Sequence, residues 1–202
     1  MSDVLPLGVA GVNVRPGDHI CAFYVGVEER DQVLLPYLRE GLRAGDKVIC
    51  VVDASEPAEL LASIGPDIDV DGCIASQQFE LRPSSDAYLA AGSFSTGDML
   101  EFWNASVGAA LGEGGYTFSR AVGEMTWALR DPLGVEELVG YESELNRFMP
   151  KYPQLILCLY DLKRFGGGIV VDMLKTHPKL LLGGMLLDNP YYLSPDEFLA
   201  TR

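Results

Sequence analysis

Apolar and polar positions along the chain switch between two periods. His19 to Tyr24 is a short apolar run, with no room for a helix before the polar stretch Gly26 to Arg30. From Asp31 to Arg43 the apolar positions are Val33, Leu34, Tyr37, Leu38, Gly41 and Leu42. That spacing is one face of a helix. Ala44-Gly45-Asp46 ends it, and Val48 to Val52 is a β-branched run stopped by Asp53. Strand, helix and buried strand in this order predict a βαβ unit and a parallel sheet.

The alternation continues. Ser55 and Pro57 predict a capped short helix to about Ile64. A short segment ends at Cys73 to Ala75, and a strand is expected over Gln78 to Leu81. A polar region with a helical turn near Ala87 to Ala91 precedes a long helix, Asp98 to Gly112, capped by Ser95 or Thr96. Further strands are predicted at Tyr116 to Val122 and Leu155 to Tyr160, and helices at Gly134 to Met149 and Gly166 to Lys175. Lys179 to Leu187, around Gly183-Gly184, reads as a last strand or hairpin. Ser194-Pro195-Asp196 caps a terminal stub. Met1 to Pro16 lacks periodicity and reads as a loosely attached lead-in. The pattern predicts an α/β fold, a three-layer α/β/α sandwich with a mainly parallel central sheet. Its divisions are 1–16 lead-in, 17–192 domain, and 193–202 C-terminal stub, a candidate junction to an output module.

Composition narrows the function. The net charge is −14 over 202 residues, which argues against direct nucleic-acid binding and against an anionic membrane surface. No apolar run approaches the roughly 20 residues that span a bilayer, and Met1 to Ala10 lacks a basic n-region. A cytoplasmic location is the expectation. Cys21, Cys50 and Cys158 sit in apolar runs, and no CxxC pair is present, so buried free thiols are expected.

The loop after the first strand, Tyr24-Val25-Gly26-Val27-Glu28-Glu29-Arg30-Asp31, carries one glycine, no lysine and three acids. A phosphate-binding loop needs glycines and a Gly-Lys-Ser/Thr ending. The layout resembles a RecA-like nucleotide-binding core, but the phosphate chemistry is missing. Three expected strands stop at or just before an acid, Asp53, Glu124 and Asp161, and the first ends in Phe23-Tyr24. In open parallel sheets ligands bind outside the carboxyl ends of the strands. Phe23, Tyr24, Asp53, Glu124, Trp127, Tyr160 and Asp161 are therefore the candidate ligand site, with His19, Cys21 and His177 as secondary candidates. The competing reading makes the acids helix caps, and for Asp53 capping is the stronger one. His19 opens its strand, at the far end from that rim, and His177 follows a helix; both read first as structural. No spacing supports a metal site, so neither a metal nor a cofactor is expected. No GxSxG elbow or nucleophile–base pair is visible.

Gly17-Asp18-His19-Ile20-Cys21-Ala22-Phe23-Tyr24, Tyr37 to Leu42, Gly123-Glu124-Met125-Thr126-Trp127-Ala128-Leu129, Tyr141-Glu142, Leu157-Cys158-Leu159-Tyr160-Asp161 and Thr176-His177-Pro178 together resemble the MEDS domain. This is a sensory domain of methanogen, methylotroph and dichloromethane-regulator type. The resemblance runs from Gly17 to Tyr192. It implies a RecA/KaiC-like core without its nucleotide loop and a non-catalytic sensory role toward a small organic ligand of the hydrocarbon-derivative class. It also implies a signalling partner or fused output module: a histidine kinase, an anti-sigma-type kinase or a helix-turn-helix unit. Two alternatives stand beside it: a protein-interaction module without a small ligand, and a degenerate nucleotide-binding protein. A homo-oligomer is left open.

Overall fold

The computed structural model describes residues 4–201. Two short antiparallel strands, β1 (Leu5–Pro6) and β2 (Asn13–Val14), precede β3 (His19–Tyr24), α1 (Gly26–Ala44) and β4 (Lys47–Val52). Then come α2 (Pro57–Ile64), α3 (Val70–Ala75), β5 (Phe79–Pro83), α4 (Thr96–Leu111) and β6 (Ser119–Glu124). After β6 a 3-10 turn, Met125–Arg130, leads toward α5 (Leu138–Phe148), β7 (Gln154–Asp161) and α6 (Gly167–Thr176). The chain closes with the hairpin β8 (Lys179–Leu182) and β9 (Met185–Asp188), then α7 (Pro195–Leu199).

The main sheet has the order β5-β4-β6-β7-β3-β8-β9. β5, β4, β6, β7, β3 and β8 all run parallel, and β9 is antiparallel to β8. The sandwich expected from the pattern is therefore the observed fold, with one change of neighbours. β3 and β4 belong to the same parallel sheet, but β7 and β6 lie between them. Helix periodicity fixes that the chain must cross over; it does not fix how many strands it crosses.

β3, β4 and β7 are buried on both faces, which is why they read as unbroken apolar runs. One face packs against α1 and α2 through Leu34, Tyr37, Leu38, Val48 and Leu157. The other packs against α4, α5 and α6 through Trp103, Tyr141, Leu145, Ile156 and Met173. β6 reads Ser-Arg-Ala-Val-Gly-Glu and is buried throughout. Its charges survive burial because each has an internal partner. The Arg120 guanidinium donates to Asp46 Oδ2 at 2.6 Å and to the carbonyls of Pro6 and Leu7 at 3.0 and 3.3 Å.

Several expected bounds move: β6 runs Ser119–Glu124 rather than Tyr116 to Val122, and α5 starts at Leu138 rather than Gly134. α1 starts at Gly26 rather than Asp31. Its polar first turn has no periodicity to read, although Glu28 and Glu29 suit a helix N-terminus. The lead-in, as far as it is described, is docked rather than loose: Leu7, Val12 and Val14 are buried. Gly8 makes this docking close. It has φ +109°, and a Cβ there would lie 2.2 Å from the Pro36 carbonyl oxygen. Gly8→Ala is expected to cost about 1–3 kcal/mol in urea unfolding through backbone strain and this clash. Gly11→Ala, where a Cβ would meet nothing within 4 Å, should cost less. Equal effects would contradict the docking.

Candidate functional site

β3 and β7 end side by side, with Tyr24 paired to Asp161. The chain leaves β3 into α1, and the amides at the head of α1 face this crevice. In a nucleotide-binding core such amides hold phosphate. Here carboxylates take them. Asp161 Oδ1 accepts from the Gly26 amide at 3.3 Å and from the Lys163 amide at 2.9 Å. Glu29 Oε2 accepts from the Val25 amide at 2.8 Å. Two of the amides at this helix head, those of Val25 and Gly26, are thus taken by the chain's own anions, which also suit the dipole.

Glu124 does the same for the next loop. Its Oε2 accepts from the amides of Asp53, Ala54 and Ser55 at 2.6, 2.7 and 2.9 Å, and its Oε1 accepts from the Ser55 hydroxyl. The buried Arg30 guanidinium stands 3.4 Å from Oε1. Ser55, expected to cap α2, makes no such bond; Glu56 holds the cap position. Asp53 accepts from Ser84, from Thr126 at 2.7 Å, and pairs with Arg130 at 2.7 Å. Burial pushes the Asp53 carboxyl up, but the bonds from Arg130, Ser84 and Thr126 outweigh it and hold it below its ordinary value.

The seven rim candidates therefore do not line one hollow. Asp53 and Glu124 come together, and Tyr24 and Asp161 sit beside α1. Burial drives the Tyr24 hydroxyl's pKa upward, with the Glu124 and Asp161 charges adding to it. Trp127 is buried, 4.9 Å from Tyr88 and 4.8 Å from Phe94 between ring centres, and its indole N–H has no partner. Phe23 and Tyr160 point to the opposite face from Tyr24, as strand alternation requires. Beside the rim on that face is an apolar cleft of about 310 Å³, walled by Leu129, Val135, Val139, Phe165 and Ile169.

Tyr160 leads to a second, fully buried centre. Its hydroxyl donates to Glu142 Oε1 at 2.6 Å. Glu142 Oε2 lies 3.3 Å from His19 Nε2, 3.3 Å from His177 Nε2 and 3.5 Å from Cys158 Sγ. His19 starts β3, Glu142 is on α5, Cys158 is in β7 and His177 caps the C-terminus of α6. Cys21 is paired with Cys158 across the strands and is buried with it. Burial pushes Glu142 up, but the His177 and His19 imidazoles beside it reverse this and hold it well below the carboxylate range. Burial, with His177 facing it, pushes His19 down. Burial and the Glu142 charge push the Cys158 thiol up. His19 lies at the far end from the rim, as its strand position implied. Glu142 and Cys158 were missed by sequence reasoning. The available signal was an acid next to Tyr141 on the apolar stripe of α5, and a cysteine two residues from Tyr160 on one strand face.

The family described as MEDS, the methanogen/methylotroph, DcmR sensory domain, matches residues 18–178. The transcriptional repressor DcmR of Methylorubrum extorquens is 32% identical over 177 residues, covering 84% of this chain. The chain spans 61% of that relative's length. The KaiC-like protein PH0186 of Pyrococcus horikoshii OT3 superposes with TM-score 0.63 at 13% identity, over 89% of this chain and 79% of that one. The flagellar accessory protein FlaH of Methanocaldococcus jannaschii gives TM-score 0.62 at 11% identity, over 91% and 84%. At these identities the two structures show the fold, a KaiC-like, RecA-type core. Among the described residues no helix is long and apolar enough to cross a membrane.

Glu124→Ala removes the acceptor of three amides and the counter-charge of a buried arginine. It is expected to cost about 3–5 kcal/mol in urea unfolding. A loss under about 1 kcal/mol, as for a surface ion pair, would contradict the bracing role.

Proposed function

The chain belongs to the MEDS family of sensory domains, and from that premise we propose that it is a non-catalytic ligand sensor in transcriptional or other signal control. The observation that carries this is the state of the head of α1. The amides of Val25 and Gly26, placed where a phosphate would be cradled, are taken by Glu29 and Asp161. The end of β6 is taken too, with Glu124 committed to a loop and to Arg30. With these amides and Glu124 engaged by internal partners, the scaffold is poorly suited to hold a nucleotide's phosphates.

The ligand is a small organic molecule of the hydrocarbon-derivative class, seated in the cleft beside the rim. At about 310 Å³ the cleft is near the lower end of ligand-pocket sizes, roughly 300–1,000 Å³. Its walls come from the turn after β6, the entrance of α5 and the entrance of α6. A molecule there favours one arrangement of α5 against α6 only through contacts it makes better in that arrangement. The output passes to a partner or joined module, a kinase or a DNA-binding unit, in the cytoplasm. The DcmR relative is a transcriptional repressor, which supports the regulatory half of this reading.

Thermal shift with short-chain ketones, alcohols and halocarbons tests the ligand class. At least one class is expected to raise Tm, and Ile169→Trp, which fills the cleft, is expected to abolish the rise. No rise with any class in folded protein would sink the ligand reading. A rise that persists in Ile169→Trp would sink the cleft as its place.

A further inference from the structure

We propose that His19, Glu142, Cys158 and His177 form a closed metal site for Zn²⁺. The four donor atoms lie within 4.8 Å of one another, and all four residues are buried. Four of the six edges between them fit a tetrahedron, and the two from His177 to His19 and to Cys158 are within 4.8 Å. Zinc–ligand bonds of about 2.0–2.3 Å make edges of roughly 3.3–3.6 Å. The N···O separations are 3.3 and 3.3 Å, and the sulfur lies 3.5 Å from His19 Nε2 and 3.5 Å from Glu142 Oε2.

The surroundings orient the donors inward. Asn146 Nδ2 donates to the carbonyls of Glu142, Ser143 and Thr176 at 3.2, 3.1 and 2.7 Å. Its Oδ1 therefore faces His19 as an acceptor and takes the Nδ1–H at 3.2 Å. The Met173 carbonyl takes the Nδ1–H of His177 at 3.0 Å. Each neutral imidazole then turns an Nε2 lone pair toward the same carboxylate oxygen. In the metal-free cluster a proton shared with the carboxylate relieves this crowding; in the loaded site the metal ion takes the proton's place. His177 Nε2 makes no aligned hydrogen bond and is wholly buried. The Tyr160 hydroxyl holds Oε1, leaving Oε2 as a single-toothed donor. Imidazole N–H groups fixed by carbonyls, and a ligating carboxylate held by a hydroxyl, are the usual outer supports of a metal site.

The donor set selects the ion. Thiolate and imidazole suit zinc and its neighbours, not the hard ions magnesium and calcium. On binding, the Cys158 thiol loses its proton to solvent. Zn²⁺, one thiolate and one carboxylate then sum to zero charge in a dry site. All four positions are filled by protein, so the ion is a structural clamp joining β3, α5, β7 and the end of α6. This inference stands apart from the sensory reading.

The test uses the whole chain, stripped with a chelator and titrated with Co²⁺ and then Zn²⁺. A single equivalent of Co²⁺ should give a thiolate charge-transfer band with tetrahedral visible bands, displaced by Zn²⁺, and Zn²⁺ should raise Tm. Cys158→Ser should remove the charge-transfer band, and Cys73→Ser, a cysteine outside the cluster, should keep it. Asn146→Ala, which frees the His19 ring, should weaken zinc binding by about 10–100-fold. Stripped, folded protein that shows no thiolate–cobalt band and no change of Tm with zinc would overturn the site. So would a band that survives Cys158→Ser.

Discussion

The carboxyl edge of the sheet depends on carboxylates accepting from backbone amides at the head of α1 and in the loop after β4. A helix start presents unpaired amides and a positive dipole end, and these must be satisfied by something. Asp161, across the β3–β7 crevice, takes the Gly26 amide, and Glu29, from within the first turn, takes that of Val25. Once they do, the loop after β3 no longer needs a run of glycines for close approach, and it carries Glu28, Glu29 and Arg30 instead. Arg30 turns inward to Glu124, which holds the loop after β4 by three amides. The edge that would open to admit a nucleotide is braced across three strand ends.

That bracing separates scaffold from function. A RecA-type fold is shared by proteins of many activities, so fold alone says little about what this chain does. The rim acids Asp53, Glu124 and Asp161 are engaged in holding loops. What remains is an apolar cleft on one side and, deeper, the His19–Glu142–Cys158–His177 centre. The two lie on the same sheet face, where α5 and α6 contribute to both. Motion of α5 against α6 would therefore be felt at both places.

Much of the architecture was legible in residue spacing. The unbroken apolar runs of β3, β4 and β7, and the stripe of α1, follow from burial on two faces or one. The Ser194 capping box of α7 and the Gly183-Gly184 hairpin were visible in local chemistry. The start of α1 was not, because its first turn is solvent-facing and carries no apolar period. The acids stand at the strand ends as the pattern places them, but Phe23 and Tyr160 face away from Tyr24. Phe23 and Tyr24 cannot share one site, because adjacent strand residues face opposite ways. Trp127 proved to be core between Tyr88 and Phe94. Glu142 and Cys158 escaped because the cluster joins residues far apart in sequence, and only the strand order β7-β3 next to α5 and α6 brings them together. Without a close spacing of ligands along the chain, no local pattern announces such a centre.

The claim that internal carboxylates have replaced the anion cradle is most directly tested by titration calorimetry of the chain with magnesium–ATP and with ADP. The expected result is no binding heat at any practical concentration. Micromolar binding of either nucleotide would contradict it, because Asp161 and Glu29 would then have to leave the head of α1.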